Sequence, residues 1–382
     1  MHKVRYLDGL RGVAAFIVVL HHFAAAFYPA AYLGLDLAQH SPFEPWLLTT
    51  PLGLLIAGNF SVCIFFILSG FVLTNSFFRS GDGKSLSSLA VRRYFRLLPP
   101  VIVSGFAGWL LMTLDLFPVA RTAALTGSTR WLSQCWAFEP DFGKLLGESF
   151  YGVFFAHQCS YNNVLWTMTW EFFGSFLVFG IAGLFGKVRS RPVIYAILAV
   201  LLFRSYYLAF LIGLVLSDIA ANRPRWFSRI SGAPVTVVLV ILGIYLGTFP
   251  PFMDIQSPWY AWLKFPFLGA SAPQFWHILG ALFLMLSVLS SPGLQGFFST
   301  APALFLGKVS FSLYAIHVLV IGSFSCLLFL ALSPHLAYNA AALVTLGATV
   351  LLSLALADLV NRFIDEPGIR LSKTIQSRFF PL

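Results

Sequence analysis

Long apolar runs separated by short polar clusters dominate the chain. They predict helices rather than strands, because most approach the roughly 20 residues a helix needs to cross a hydrocarbon core. Ten such segments lie near residues 10–28, 52–78, 100–118, 164–186, 193–203, 206–217, 234–249, 273–291, 309–331 and 336–360. The predicted fold is all-α: a polytopic transmembrane helix bundle of about ten spans, forming one membrane domain over residues 1–382 with no fused soluble domain. The longest stretch outside the spans is 119–163. The fifth and sixth segments are short, and fusing them would strand Arg204 near the middle of one helix, where an unpartnered guanidinium costs several kcal/mol.

Charge decides between the two topologies. Only 10% of residues are charged and 58% are hydrophobic, whereas soluble domains carry roughly a quarter charged residues. That deficit excludes a soluble enzyme, an extracellular disulfide scaffold and a disordered tail. The formal net charge of +10 does not call for nucleic acid, because the cations sort by side of the membrane. With ten spans and the N-terminus inside, 19 of the 24 Lys and Arg residues are inner, and Arg121, Arg130, Lys144, Arg204 and Lys264 are outer. Fusing the fifth and sixth spans gives 12 inside and 11 outside, which removes the positive-inside bias. Ten spans with both termini cytoplasmic are therefore expected. A cleaved secretory signal in the first 31 residues is disfavoured, since Asp8 and Arg11 sit within its apolar run.

Polar residues inside spans carry the chemistry, because hydrocarbon penalises them. Arg11 and His22 are eleven residues apart and share one face of the first span, separated by about 16 Å along the axis. His21 points away around the helix. Glu171, in LWTMTWEFFGSFL, lies at a depth similar to His22, so the two are expected to pair, the carboxylate raising the basicity of the imidazole. Arg93 and Arg96, in SLAVRRYFRLLPP, are neighbours at i and i+3 and suit a phosphate-bearing ligand or lipid headgroups. Ser69 in FFILSGFVL reads as a packing hydroxyl. Tyr314 and His317 in GKVSFSLYAIH are close enough to touch, either lining an inner cavity or bonding helices together. Cys135 and Cys159 share the large outer loop, as a disulfide or as two free thiols. No His, Cys or Asp cluster has metal-ligand spacing.

Taken in order, LDGLRGVAAFIVVLHH, FFILSGFVL, RRYFRLLPP, LWTMTWE, GKVSFSLYAIH and RFIDEPGIRLS resemble acyltransferase family 3, integral membrane enzymes that O-acylate exported polysaccharides and other glycosylated or lipid-linked acceptors. The family's Arg followed by ten residues and His falls on Arg11 and His22, its Arg-x-x-Arg on Arg93 and Arg96, and its Trp-Ser-Leu-x-x-Glu on Trp166 to Glu171. Thr167 and Met168 replace the Ser and Leu of the last motif, and FFG follows it in place of aromatic and acidic residues. The resemblance implies an acyl-CoA donor, acetyl-CoA foremost, and a saccharide or lipid-linked glycan acceptor. It implies Arg93 and Arg96 on the CoA phosphates, Arg11 beside the thioester arm, and His22 with Glu171 as base or acyl carrier. No metal is required. A bacterial cytoplasmic membrane is the expected location, with membrane lipids as the other partner. The rival reading is a proton-coupled transporter or flippase using His22 and Glu171 as a relay.

Overall fold

A computed structural model of the chain describes residues 4–380. Met1–Lys3 and Pro381–Leu382, among them the Lys3 assigned to the inner side, lie outside the described residues. Each of the ten apolar segments forms a helix, and no strand forms among the described residues. The helices are α1 (Arg5–Phe27), α2 (Gly58–Ser80), α3 (Lys84–Thr113), α4 (Trp166–Phe185), α5 (Arg191–Leu202), α6 (Tyr207–Asn222), α7 (Ala233–Gly247), α8 (Ala272–Ser290), α9 (Ala301–Val320) and α10 (Tyr338–Val360). A π-turn at Asn361–Asp365 leads from α10 into α11 (Glu366–Phe379). Seven helical stretches are long and apolar enough to cross a membrane, while α5, α6 and α7 are shorter apolar helices. The protein is an integral membrane protein with an all-α polytopic bundle.

Arg204 is exposed in the turn between α5 and α6, where its guanidinium donates to the Phe267 carbonyl. The chain reverses there, and Arg191 at the start of α5 pairs with Asp218 near the end of α6 at 2.6 Å. Directions elsewhere agree with that reversal. Helices α2 and α6 run parallel, with Phe66 stacked on Phe210 and Gly70 backed onto Phe210 and Gly213. Helices α1 and α9 also run parallel, in contact at Gly12 and Gly307, and Phe27 at the end of α1 packs on Phe329 in the helical turns Cys326–Leu332 that follow α9. A continuous helix through Arg204 would reverse one member of each pair.

The close approach of α1 and α9 depends on glycine. A Cβ on Gly12 would stand 2.2 Å from the Gly307 nitrogen, and one on Gly307 would stand 2.3 Å from the Asp8 carbonyl oxygen. Small residues allow such contact where no hydrophobic force drives helices together in lipid.

Two helices start well before their predicted limits. Helix α3 begins at Lys84 rather than 100 and continues through Pro99 and Pro100. The Pro99 ring packs on α11, 3.0 Å from where a Cβ on Gly368 would lie. Arg92, Arg93 and Arg96 therefore ride on the same helix as the third apolar segment, ahead of its expected start at 100. Helix α9 begins at Ala301 rather than 309, opened by Pro302 in its first turn, where proline's missing N–H costs nothing.

The outer segment between α3 and α4 holds both loop cysteines as thiols. Cys135 Sγ donates to Trp131 O at 3.3 Å, and Cys159 Sγ donates to Asn163 O at 3.5 Å. Burial pushes each thiol up to about 12. At pH 8 only about one in 10⁴ of each is thiolate, the reactive form. Intact mass is therefore expected to be the same with and without reductant, and alkylation of both residues is expected to be slow at pH 8 and to accelerate as pH rises. A mass 2 Da lower without reductant would show that they pair.

Candidate functional site

Helix α1 places Arg11 and His22 on one face, and each opens into a different cavity. Arg11, Arg93, Arg96, Ser69, Glu171 and Ser310 line a cavity of about 170 Å³, called inner after the expected topology. His21, His22, Asn59, Trp166, Tyr206 and Gln274 line an outer one of about 350 Å³. Tyr314 on α9 belongs to both walls. Its hydroxyl donates to Val164 O at 2.8 Å and accepts from Thr167 at 3.0 Å, which fixes the ring between the two spaces. Thr167, where the family has serine, keeps the hydroxyl that makes this bond.

The inner cavity is built of compensated charge. Glu171 accepts from Ser69 Oγ at 2.5 Å and from the Arg93 guanidinium, both side chains of the ion pair being largely buried. Arg96 donates to Asp365 at 2.5 Å and lies over the Phe311 ring, 5.3 Å from its centre. Arg11 is the most exposed of the three and contacts Asp8 at 3.8 Å. Arg93 Nε is a buried donor with no hydrogen-bond partner among the described residues. Three guanidiniums lining one cavity suit an anionic ligand. Arg93 and Arg96 thus face one cavity as their spacing implied, each anchored by a carboxylate from a different helix.

The outer cavity is built of histidine, aromatic rings and amides. His21 Nδ1 donates to Ile56 O at 3.0 Å, and its ring stands edge-on to Tyr32. His22 Nδ1 is 3.0 Å from both Val18 O and His317 Nε2, and the His22 ring lies beside Trp131 with centres 5.4 Å apart. Asn59 donates to His277 at 2.7 Å and accepts from Tyr206 at 2.6 Å. Gln274 Nε2 is buried with no hydrogen-bond partner among the described residues.

One expectation is corrected. Glu171 does not pair with His22: it is held by Arg93 and Ser69 in the inner cavity, and the partner of His22 is His317. Counting residues from helix ends gives depth but not the direction a side chain faces, and the nearest cation captures a carboxylate in low dielectric. Ser69, read as a packing hydroxyl, is instead a donor to Glu171. His317, read as an inner-half residue, lies against His22.

The profile of the acyltransferase domain family matches residues 4–358, so the chain belongs to that family. It is 24% identical to the O-acetyltransferase PaAT-1 of Phomopsis amygdali, over 99% of this chain and 85% of that protein. It is 27% identical to the acyltransferase clz18 of Cochliobolus lunatus, over 84% of this chain and 83% of that protein. No solved structure matches it. The protein is an acyltransferase enzyme rather than the transporter that its buried histidine and glutamate left open, and the relatives named here are fungal.

Proposed function

We propose that the enzyme takes an acyl group, acetyl foremost, from acyl-CoA in the inner cavity and passes it to an acceptor hydroxyl in the outer cavity. The acceptor class is a saccharide or lipid-linked glycan, and the cation-lined cavity opens to the cytoplasmic side of the membrane. One observation carries the reading: two cavities, one lined by three guanidiniums and one by His22, share the Tyr314 wall. The guanidiniums suit the CoA phosphates. His22 Nε2 removes the acceptor proton, the acceptor oxygen bonds to the thioester carbon, and the C–S bond breaks. The proton then leaves His22 for the CoA sulfur. Glu171 holds Arg93 rather than assisting His22 directly.

The test is release of CoA from acetyl-CoA by purified protein in vesicles. Arg11, held among the described residues by one long ion contact, is the most exposed of the three cations. Arg11→Ala is expected to raise the KM for acetyl-CoA about 10-fold or more, the loss of one charge-assisted hydrogen bond. Unchanged KM and unchanged acetyl-CoA binding would move the donor out of this cavity.

A further inference from the structure

The hydrogen bonds around His317 leave one arrangement of protons for a pair of neutral rings. His317 Nδ1 lies 3.1 Å from Leu313 O and 2.9 Å from Tyr314 O. Carbonyl oxygens only accept, so this nitrogen carries the hydrogen, and Nε2 of the neutral ring is left with a lone pair. That lone pair faces His22 Nδ1 at 3.0 Å. His22 Nδ1 also faces Val18 O at 3.0 Å. With an acceptor on both sides, His22 Nδ1 must be the donor. The remaining nitrogen, Nε2, is bare, makes no hydrogen bond among the described residues, and belongs to a ring that lines the outer cavity.

We infer that His317 is a positioning residue that locks His22 in the Nδ1–H tautomer and so presents Nε2 as the base. The inference rests on the proposed role of His22. A free imidazole divides its proton between two nitrogens, and in the wrong tautomer the atom facing the cavity would be a donor, unable to take a hydroxyl proton. In serine hydrolases a carboxylate does this work. Here a second imidazole does it, held by the carbonyls of its own helix. When His22 accepts the acceptor's proton at Nε2, its Nδ1–H still points at the His317 lone pair, which shares the new positive charge without moving. When Nε2 passes the proton to the CoA sulfur, both rings are back in their starting state. His317 is fully buried, so water does not compete for that lone pair.

The experiment joins kinetics with ¹⁵N-histidine spectra of the protein in vesicles, the His22 signals being assigned by their loss in His22→Ala. His317→Ala is expected to lower kcat about 10–100-fold, as removal of a partner that orients a functional imidazole commonly does. The KM for acetyl-CoA should stay within about twofold, and His22 should change from a single Nδ1–H form to a mixture of tautomers. His317→Gln offers a carbonyl oxygen in place of Nε2 and is expected to recover most of the rate and the single tautomer. It carries the test alone if the alanine variant does not fold. A kcat within twofold of wild type in His317→Ala, a lost rate with His22 still wholly Nδ1–H, or a glutamine variant no better than alanine would each overturn the inference. Retained turnover in His22→Ala would instead overturn the base assignment, and the spectra would still decide the tautomer.

Discussion

Replacing His22 by alanine is expected to lower turnover by about 10²–10⁴-fold, the span for loss of a general base, with yield and folding close to wild type. The expectation follows from what the ring touches. His22 is half-buried, lines the outer cavity and, among the described residues, makes its hydrogen bonds through Nδ1. Removing it widens a cavity already large enough for water, which can satisfy the His317 lone pair. The adjacent His21 is a contrasting control. It is buried, and its Nδ1 holds the Ile56 carbonyl just ahead of α2, with the ring against Gly58. His21→Ala is therefore expected to cost about 1–3 kcal/mol of stability and far less turnover per folded molecule. CoA release and product formation at saturating acetyl-CoA, on equal amounts of monodisperse protein, measure both. Equal loss in the two variants would show that the chemistry does not single out His22, and full activity in His22→Ala would place the base elsewhere.

The histidine pair also shows what the sequence could and could not disclose. Helix existence was legible at all ten positions because lipid demands long uninterrupted apolar runs. The break at Arg204 was legible from charge sidedness. Arg11 and Glu171 were legible as residues that hydrocarbon should reject, Arg93 and Arg96 as a cation pair at i and i+3, and the four gather in one cavity. Their partners were not legible. The expected start of the ninth span at 309 is eight residues later than the true start at Ala301. That displaced His317 toward the inner half in the reading. Measured from the real starts, His22 is 17 residues beyond Arg5 and His317 is 16 beyond Ala301. On parallel helices such positions lie at equal height, so the proline and small residues of STAPALFLGK were the missed signal. The facing of Glu171 depends on packing among α2, α3 and α4, which no spacing within one helix contains.

Glu171→Ala is expected to be the most destabilising of the site substitutions, and more so than Arg93→Ala. The two side chains are 13% and 12% exposed, and the pair sits beside Arg96 and Arg11. Removing the carboxylate leaves a buried guanidinium that cannot shed its proton, with like charges nearby, at a cost of about 3–5 kcal/mol. Removing the arginine is milder, since a carboxyl can take up a proton, become neutral and keep its bond with Ser69. The double variant is therefore expected to be more stable than Glu171→Ala alone, a coupling of the kind thermal unfolding in detergent measures. The donor supplies a second readout. If the cavity holds the CoA phosphates, those anions replace the missing carboxylate, and CoA is expected to raise the melting temperature of Glu171→Ala by more than it raises that of wild type. Equal stability of the two single variants would mean that the pair is solvated rather than buried. A normal coupling with no extra protection by CoA would keep the ion pair and move the phosphates away from it.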